Sequence, residues 1–330
     1  MPATDLHSRR RPLRAWLKEA ALLLGAAALP SLLAACAPAA VPAPPAAPAP
    51  AVQPAPPPAP AAPAPRPAAA VATGNVVAKE VGKNIVFEMD KLSVPTGNVH
   101  FTFKNTGKLS HDFWIYQQQD KSAYLAKKRA GETAKGRDYL KDATELFETE
   151  AGESKEADIT LKPGLYEVSC FEQSKKADGS TYVHYDKAQH LTLEVTGPGF
   201  ATRMEKPAKA MSVVANEWAF EPDTLLVAAG DVTFSFKNNG KMEHDFWVYP
   251  LQDRSEYFYR KLAGEAVKGR AFLTGSDELF ELEAGETAPA KTMKLTPGTW
   301  ATGCFILGKN EDGSGFIHAD KGQIFTFTVK

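Results

Sequence analysis

The chain reads as an all-β protein built from two tandem Greek-key β-sandwiches, each carrying one helical insertion. Three observations predict this. The second half of the sequence repeats the first in register. Apolar residues alternate with polar ones in short runs closed by Pro-Gly and other turn signals. Only one stretch in each copy has the punctuation of a helix.

The register is tight. Phe87 matches Phe220, Gly97 matches Gly230 and His111 matches His244, each at a shift of 133. Glu145-Leu-Phe-Glu and Ala151-Gly-Glu recur at Glu278 and Ala284 with the same shift, which becomes 134 from Leu161 and Leu295 onward. Two copies are too few for a solenoid and indicate a duplicated domain. The predicted domains are residues 74–197 and 208–330, joined by a linker over 198–207.

Within each copy Val99, Phe101 and Phe103 alternate with His100, Thr102 and Lys104, as do Val232, Phe234 and Phe236 with their neighbours. Such a strand buries one face. After Pro163-Gly164 and Pro297-Gly298, the residues Tyr166, Val168 and Cys170, and likewise Trp300, Thr302 and Cys304, share a strand face that points inward. Leu191, Leu193 and Val195, with Phe325, Phe327 and Val329, supply the closing strands. Ser122 and Ser255 are expected to cap helices over 123–130 and 256–263, stopped by Gly131 and Gly264. From there to Glu153 and Glu286 the chain is expected to be irregular. Many short strands with such connections predict the Greek-key sandwich. Trp114, Trp247, Phe113 and Phe246 are expected in the core.

The amino terminus is of another kind. Residues 1–35 carry Arg9, Arg10, Arg11, Arg14 and Lys18, then an apolar stretch too short to span a bilayer. They read as a signal peptide. Leu33-Ala34-Ala35-Cys36 resembles the lipobox of bacterial lipoproteins, which implies cleavage before Cys36 and lipidation of its sulfur. Ser8-Arg-Arg-Arg-Pro-Leu-Arg14 resembles the twin-arginine export signal. Residues 36–73 are then a lipidated cysteine and an Ala/Pro-rich tether, whose extended backbone could reach on the order of 100 Å. The expected location is extracytoplasmic, lipid-anchored to a bacterial membrane through Cys36. Removal of residues 1–35, with five basic and two acidic side chains, leaves a chain of net charge −4. Nothing in this balance calls for nucleic acid, which wants a basic patch.

The chain has three cysteines, one at the lipobox and one in each repeat, so no disulfide fits inside a repeat. A lone thiol outside the cytoplasm invites oxidation unless something occupies it. Each repeat also keeps two histidines and a glutamine in register: His111, Cys170, His184 and Gln189, then His244, Cys304, His318 and Gln323. A lone buried cysteine is more often a small hydrophobe, but a set of four retained in both of two diverged copies points to metal. His100 and His190 face Thr233 and Ile324 in the other copy and are read as structural or incidental.

Asn105-x5-His111-Asp with Leu161-x-Pro-Gly-x-Tyr-x-x-x-Cys170, and Asn238-x5-His244-Asp with Leu295-Thr-Pro-Gly-Thr-Trp-x-x-x-Cys304, resemble the cupredoxins, the type 1 blue copper proteins. The resemblance covers both repeats and neither the leader nor the tether. It implies a copper in each, held by His111, Cys170 and His184 and by His244, Cys304 and His318. A soft thiolate with two imidazoles suits copper in a trigonal plane under a weak axial donor. Gln189 and Gln323, five residues after the second histidines, resemble the stellacyanin variant with an axial amide oxygen. Asp112 and Asp245 stand where the family often has Asn and locks the ligand loop. The departure is the 14-residue interval from each cysteine to its second histidine, longer than the family's usual few; Gly179 and Gly313 inside it predict a protruding hairpin.

The resemblance implies an electron carrier with two type 1 copper sites, serving redox proteins of the cell envelope. Two other classes stay open: a copper-delivery module without redox turnover, and a metal-free interaction sandwich. Multicopper oxidases and copper nitrite reductases also use cupredoxin repeats, but need additional histidines, as His-x-His pairs or beside the cysteine. The chain has neither, and the expectation is that it is not an enzyme.

Overall fold

A computed structural model describes residues 71–330. The signal peptide, Cys36 and all but the last residues of the tether lie outside the described residues. Residues 72–196 form two sheets. One orders its strands Asn84–Met89, Ala72–Val81, Gly97–Asn105 and Ser154–Leu161; the other orders Ser93–Pro95, His190–Thr196, Gly164–Ser169, His111–Gln117 and Thr144–Thr149. Residues 210–329 repeat both sheets in the same order. Neighbours far apart in sequence, such as His190–Thr196 beside Ser93–Pro95, make the connections those of a Greek key.

The alternation read in the sequence is the one that folds. Val99, Phe101 and Phe103 are fully buried, while Lys104 is exposed. They pack with Phe87, Phe113, Phe147, Val168, Cys170, Leu191, Leu193 and Val195 between the sheets. Trp300, Cys304, Phe325, Phe327 and Val329 sit in the matching core of the second copy. The strand His111–Gln117 is buried through Tyr116 because its sheet is covered on both sides. Phe113 and Ile115 face the sandwich core; Trp114 and Tyr116 face a second layer with Tyr124, Leu125, Leu140 and Phe171. A strand covered twice loses its polar alternation.

That second layer is the insertion. The helices α1 (Ser122–Arg129) and α2 (Ser255–Leu262) lie where expected. Their first turns are not closed by the serine side chains. The Asp120 carboxylate accepts the Ser122 backbone N–H (2.9 Å) and hydroxyl (2.7 Å), and Asp253 does the same for Ser255 (2.9 and 2.6 Å). A carboxylate is the stronger acceptor and carries the charge favoured at a helix start. Gly131 and Gly264 end the helices with φ of +80° and +82°, a turn that a β-carbon resists. The stretch expected to be irregular holds a further strand, Thr144–Thr149, with Asp277–Leu282 in the second copy. Each pairs antiparallel with the first-histidine strand across a bulge, at Phe113/Trp114 and Phe246/Trp247. The hairpins expected around Gly179 and Gly313 are present: Gln173–Lys175 pairs with Thr181–Val183, and Leu307–Lys309 with Gly315–Ile317.

The two repeats meet across a pseudo-two-fold axis. Lys121 N–H donates to the Asp320 carbonyl (2.8 Å) and Arg254 N–H to the Asp186 carbonyl (2.9 Å). Lys321 pairs with Asp120 (2.8 Å) and Lys187 with Asp253 (2.6 Å). Thr192 N–H donates to Thr326 Oγ1 (2.7 Å), and Thr326 N–H to Thr192 Oγ1 (2.9 Å). Reciprocal contacts of this kind define an isologous interface. Arg129 has no arginine counterpart, since Leu262 stands at its place in the second copy. It binds Asp186 through Nε (2.9 Å) and Nη2 (2.8 Å), and Asp320 through Nη1 (2.6 Å) and Nη2 (3.1 Å). Both carboxylates are fully buried. Removing one partner from such a set strands the remaining charges away from water. Arg129→Leu is therefore expected to lower stability by about 3–5 kcal/mol in urea unfolding monitored by fluorescence. A loss under about 1 kcal/mol would show that the two carboxylates do not depend on it.

Candidate metal centres

In each repeat four segments deliver the predicted residues to one buried point at the end of the sandwich. His111 and His244 begin their strands. The loop before each is braced by the asparagine of the Asn-x5-His phrase. Asn105 Nδ2 donates to the Leu109 carbonyl (2.8 Å) and its Oδ1 accepts Gly107 N–H (2.9 Å). Asn238 repeats both contacts with Met242 (2.7 Å) and Gly240 (2.8 Å). Cys170 and Cys304 follow their strands directly. The second histidines open short 3-10 turns, His184–Lys187 and His318–Lys321. Gln189 and Gln323 come just after those turns, and their carbonyls accept the N–H of Cys170 (3.1 Å) and Cys304 (3.0 Å).

The structure brings all eight residues together, four in each copy. Cys170 Sγ lies 3.5 Å from His184 Nδ1 and 4.0 Å from His111 Nδ1, and the two Nδ1 atoms are 3.3 Å apart. In the second copy Cys304 Sγ lies 3.5 Å from His318 Nδ1 and 4.0 Å from His244 Nδ1. Three soft or borderline donors converge in each copy, and each triad could hold a metal ion. A thiolate with two imidazoles is suited to copper. Gln189 Oε1 lies 3.1 Å from His111 Nδ1 and its Nε2 has no partner. Gln323 differs: its Nε2 donates to the Asn216 carbonyl (3.0 Å), and its buried Oε1 is left without one. His100 and His190 lie elsewhere. His100 pairs on the surface with Asp158 (2.8 Å), and His190 is buried at the interface against Arg254.

Burial sets the protonation states. It lowers the pKa of His111 and His244, and that of His184 to about 3 and His318 to about 4, with the neighbouring histidine adding to the fall in the last two. It raises both thiols well above the ordinary range. At neutral pH the metal-free sites hold neutral imidazoles, ready as donors, and protonated thiols whose protons a metal would displace.

The cysteine-bearing turn is held by the residue after the first histidine. Asp112 Oδ1 accepts Phe171 N–H (2.7 Å) and its Oδ2 accepts Trp114 Nε1–H (3.0 Å). Asp245 repeats this with Phe305 (2.6 Å) and Trp247 (3.2 Å). Burial pushes both aspartates up to about 7.

Sequence reasoning missed Glu80 and Glu217. Glu80 Oε1 lies 3.6 Å from His111 Nε2, and the Glu217 carboxylate is the neighbouring charge on His244. The signal existed in Val76-x-Ala-x-Glu80 and Val213-x-Ala-x-Glu217, which match at a shift of 137. The first hairpin is four residues longer in the first copy, so a search at 133 passes over them.

No family model and no curated protein matches the chain. Among solved structures, an auracyanin from the photosynthetic bacterium Roseiflexus castenholzii aligns with 37% of this chain and 97% of its own, at 20% identity and TM-score 0.27. A multicopper oxidase aligns with 78% of this chain and 88% of its own, at 12% identity and TM-score 0.28. A copper nitrite reductase from Nitrosomonas europaea aligns with 79% and 94%, at 13% identity and TM-score 0.27. The strand order of each copy is that of the two-sheet Greek-key sandwich expected from the sequence. The expectation that the chain is not an enzyme is not upheld: a multicopper oxidase and a copper nitrite reductase are among the structures that align with it. A pair of repeats does not by itself separate a carrier from an enzyme.

The grip of Asp112 can be tested without metal. Asp112→Ala removes two buried hydrogen bonds to a charged-capable acceptor and is expected to cost about 2–4 kcal/mol. Asp112→Asn keeps an acceptor for Phe171 N–H and is expected to cost less. Chemical denaturation of both variants measures this. Equal losses, or none, would show that the hydrogen bond to Phe171 does not fix the turn.

Proposed function

We propose that the chain binds two copper ions as type 1 centres and passes electrons between redox proteins of the cell envelope, tethered to a membrane through Cys36. The observation that carries this reading is the convergence of Cys170 Sγ with His111 Nδ1 and His184 Nδ1, repeated at Cys304. When bound, copper supplies a one-electron couple. His111, Cys170 and His184, with His244, Cys304 and His318, would hold it, and Gln189 and Gln323 would offer axial amide oxygens.

What the chain's own residues do is hold still and exclude water. All eight residues are nearly inaccessible, with His318 the most exposed at 4%. The donors sit on strand ends and short turns closed by backbone hydrogen bonds, so little must move when charge changes. His318 is flanked by Trp218, edge-on at 5.3 Å, and by Phe316, stacked at 6.0 Å. His184 is likewise stacked, by Tyr182 at 5.9 Å, but hydrogen-bonds Ser174 Oγ through Nε2 (2.8 Å). The two centres therefore differ beyond the first donors. A delivery role would favour accessible, mobile donors, which these are not.

Residues 71–330 loaded with copper are expected to bind two ions and to show strong visible thiolate-to-copper charge transfer. Cys170→Ser and Cys304→Ser should each abolish one centre and spare the other. Copper bound without that absorption would favour storage or delivery, and no bound copper would favour a metal-free interaction sandwich. Membrane attachment is tested separately: Cys36→Ser in the full chain should release the protein from membranes or block its maturation. Unchanged attachment with an unmodified Cys36 would remove the anchor from the reading.

A further inference from the structure

Each first histidine carries a nitrogen that nothing yet described accounts for. His111 and His244 turn Nδ1 toward the cysteine and the second histidine, so a metal bound at Nδ1 would leave each ring's proton on Nε2, whereas without metal the Gln189 Oε1 acceptor lies 3.1 Å from His111 Nδ1. Both Nε2 atoms are buried, and neither has a hydrogen-bond partner. A buried N–H left unpaired is costly, and one explanation is a partner poised just beyond bonding distance.

A carboxylate stands at the same place in both repeats, within 4 Å of the histidine in the first and as its neighbouring charge in the second. Glu80 and Glu217 each lie two residues beyond the alanine that pairs with the bracing asparagine, Ala78 with Asn105 and Ala215 with Asn238. The Glu80 carboxylate is fixed by backbone donors from Lys108 (2.9 and 3.1 Å) and Leu109 (3.1 Å), and Oε1 stands 3.6 Å from His111 Nε2. Glu217 Oε2 accepts Lys241 N–H (2.6 Å), the counterpart of Lys108. A glycine makes room each time. A β-carbon on Gly107 would meet the Glu80 oxygens at 2.6 and 2.7 Å. One on Gly240 would meet His244 Nε2 at 2.8 Å and Glu217 Oε2 at 3.2 Å. A carboxylate held by backbone amides, beside a buried imidazole N–H, through a gap kept open by glycine, twice over, is a built arrangement.

We propose that Glu80 and Glu217 are positioning residues for the two metal centres, each receiving the Nε2–H that a metal at Nδ1 would leave on its histidine. By drawing on the Nε2–H they make the ring a stronger donor, as outer carboxylates do for metal-bound histidines. A stronger donor favours Cu(II) over Cu(I) and so lowers the reduction potential. The proposal rests on the copper reading.

The Cu(I)-loaded chain is the first test. Imidazole 15N shifts should show the His111 Nε2–H paired with an acceptor in the parent and less so in Glu80→Gln. Identical Nε2–H signals in both would overturn the assignment while leaving copper bound. The second test uses copper-loaded protein, with Cys304→Ser isolating the first centre and Cys170→Ser the second. Glu80→Gln keeps an oxygen for the Lys108 and Leu109 amides but removes the charge. Cu(II) affinity should fall at least tenfold relative to Cu(I), raising the potential by 59 mV for each tenfold. Glu217→Gln should do the same at the second centre alone. Gly107→Ala, which displaces the Glu80 carboxylate without altering it, should move the first centre in the same direction. An unchanged potential, or an equal loss of both oxidation states, would overturn the role while leaving a blue centre, and with it the copper reading, intact.

Discussion

Each site depends on one buried carboxylate. Asp112 sits on the strand that begins with His111, yet its oxygens end on the backbone after Cys170 and on the indole of Trp114. Two elements that carry donors are thereby fixed to each other, and both are fixed to the aromatic layer beneath the helix. The Asp112 bond to Phe171 adds to the backbone bonds from Cys170 N–H to the Gln189 carbonyl (3.1 Å) and from His184 N–H to the Glu172 carbonyl (2.9 Å), which hold the cysteine turn to the second-histidine turn. Burial makes the arrangement strong and exacting, because an acceptor withdrawn there leaves an amide and an indole with nowhere else to donate. The carboxylate is also why the aromatic layer belongs to the site. Phe171, which donates to Asp112, stacks on Tyr185, the residue after His184.

The duplication made the fold and most of the site legible. His111, Cys170, His184 and Gln189 stand out because the second copy keeps them while changing most of their neighbours, and the period-two strands were readable from Val99, Phe101 and Phe103. What stayed hidden had physical reasons. Thr144–Thr149 is an edge strand with only Phe147 and Thr149 buried, too little alternation to distinguish it from loop. Ser122 looked like a cap because serine often is one, but the neighbouring Asp120 offers the better acceptor. Glu80 escaped because the register that aligns the histidines fails across a hairpin of different length. Contacts between repeats, such as Arg129 with Asp320, leave no periodic trace at all.

The interface is isologous in outline and unequal in detail. Lys121 pairs with Glu167 (2.9 Å), buried, and Arg254 contacts His190; the counterparts of Glu167 and His190 are Ala301 and Ile324. At these two positions the first copy has a polar group and the second an apolar one. Arg129 likewise serves both aspartates from one side only. Because Asp186 and Asp320 each lie two residues after a second histidine, the same guanidinium holds both histidine turns.

The central claim is that four donors in each repeat close on one copper. A crystal structure of the copper-loaded chain, with anomalous differences collected at the copper edge, tests it most directly. The account predicts two peaks, one bonded to Cys170 Sγ and to the Nδ1 atoms of His111 and His184, the other to Cys304 Sγ and to the Nδ1 atoms of His244 and His318. Gln189 and Gln323 should turn Oε1 toward them. Peaks on other residues, bonds through Nε2, or amides facing away would contradict it.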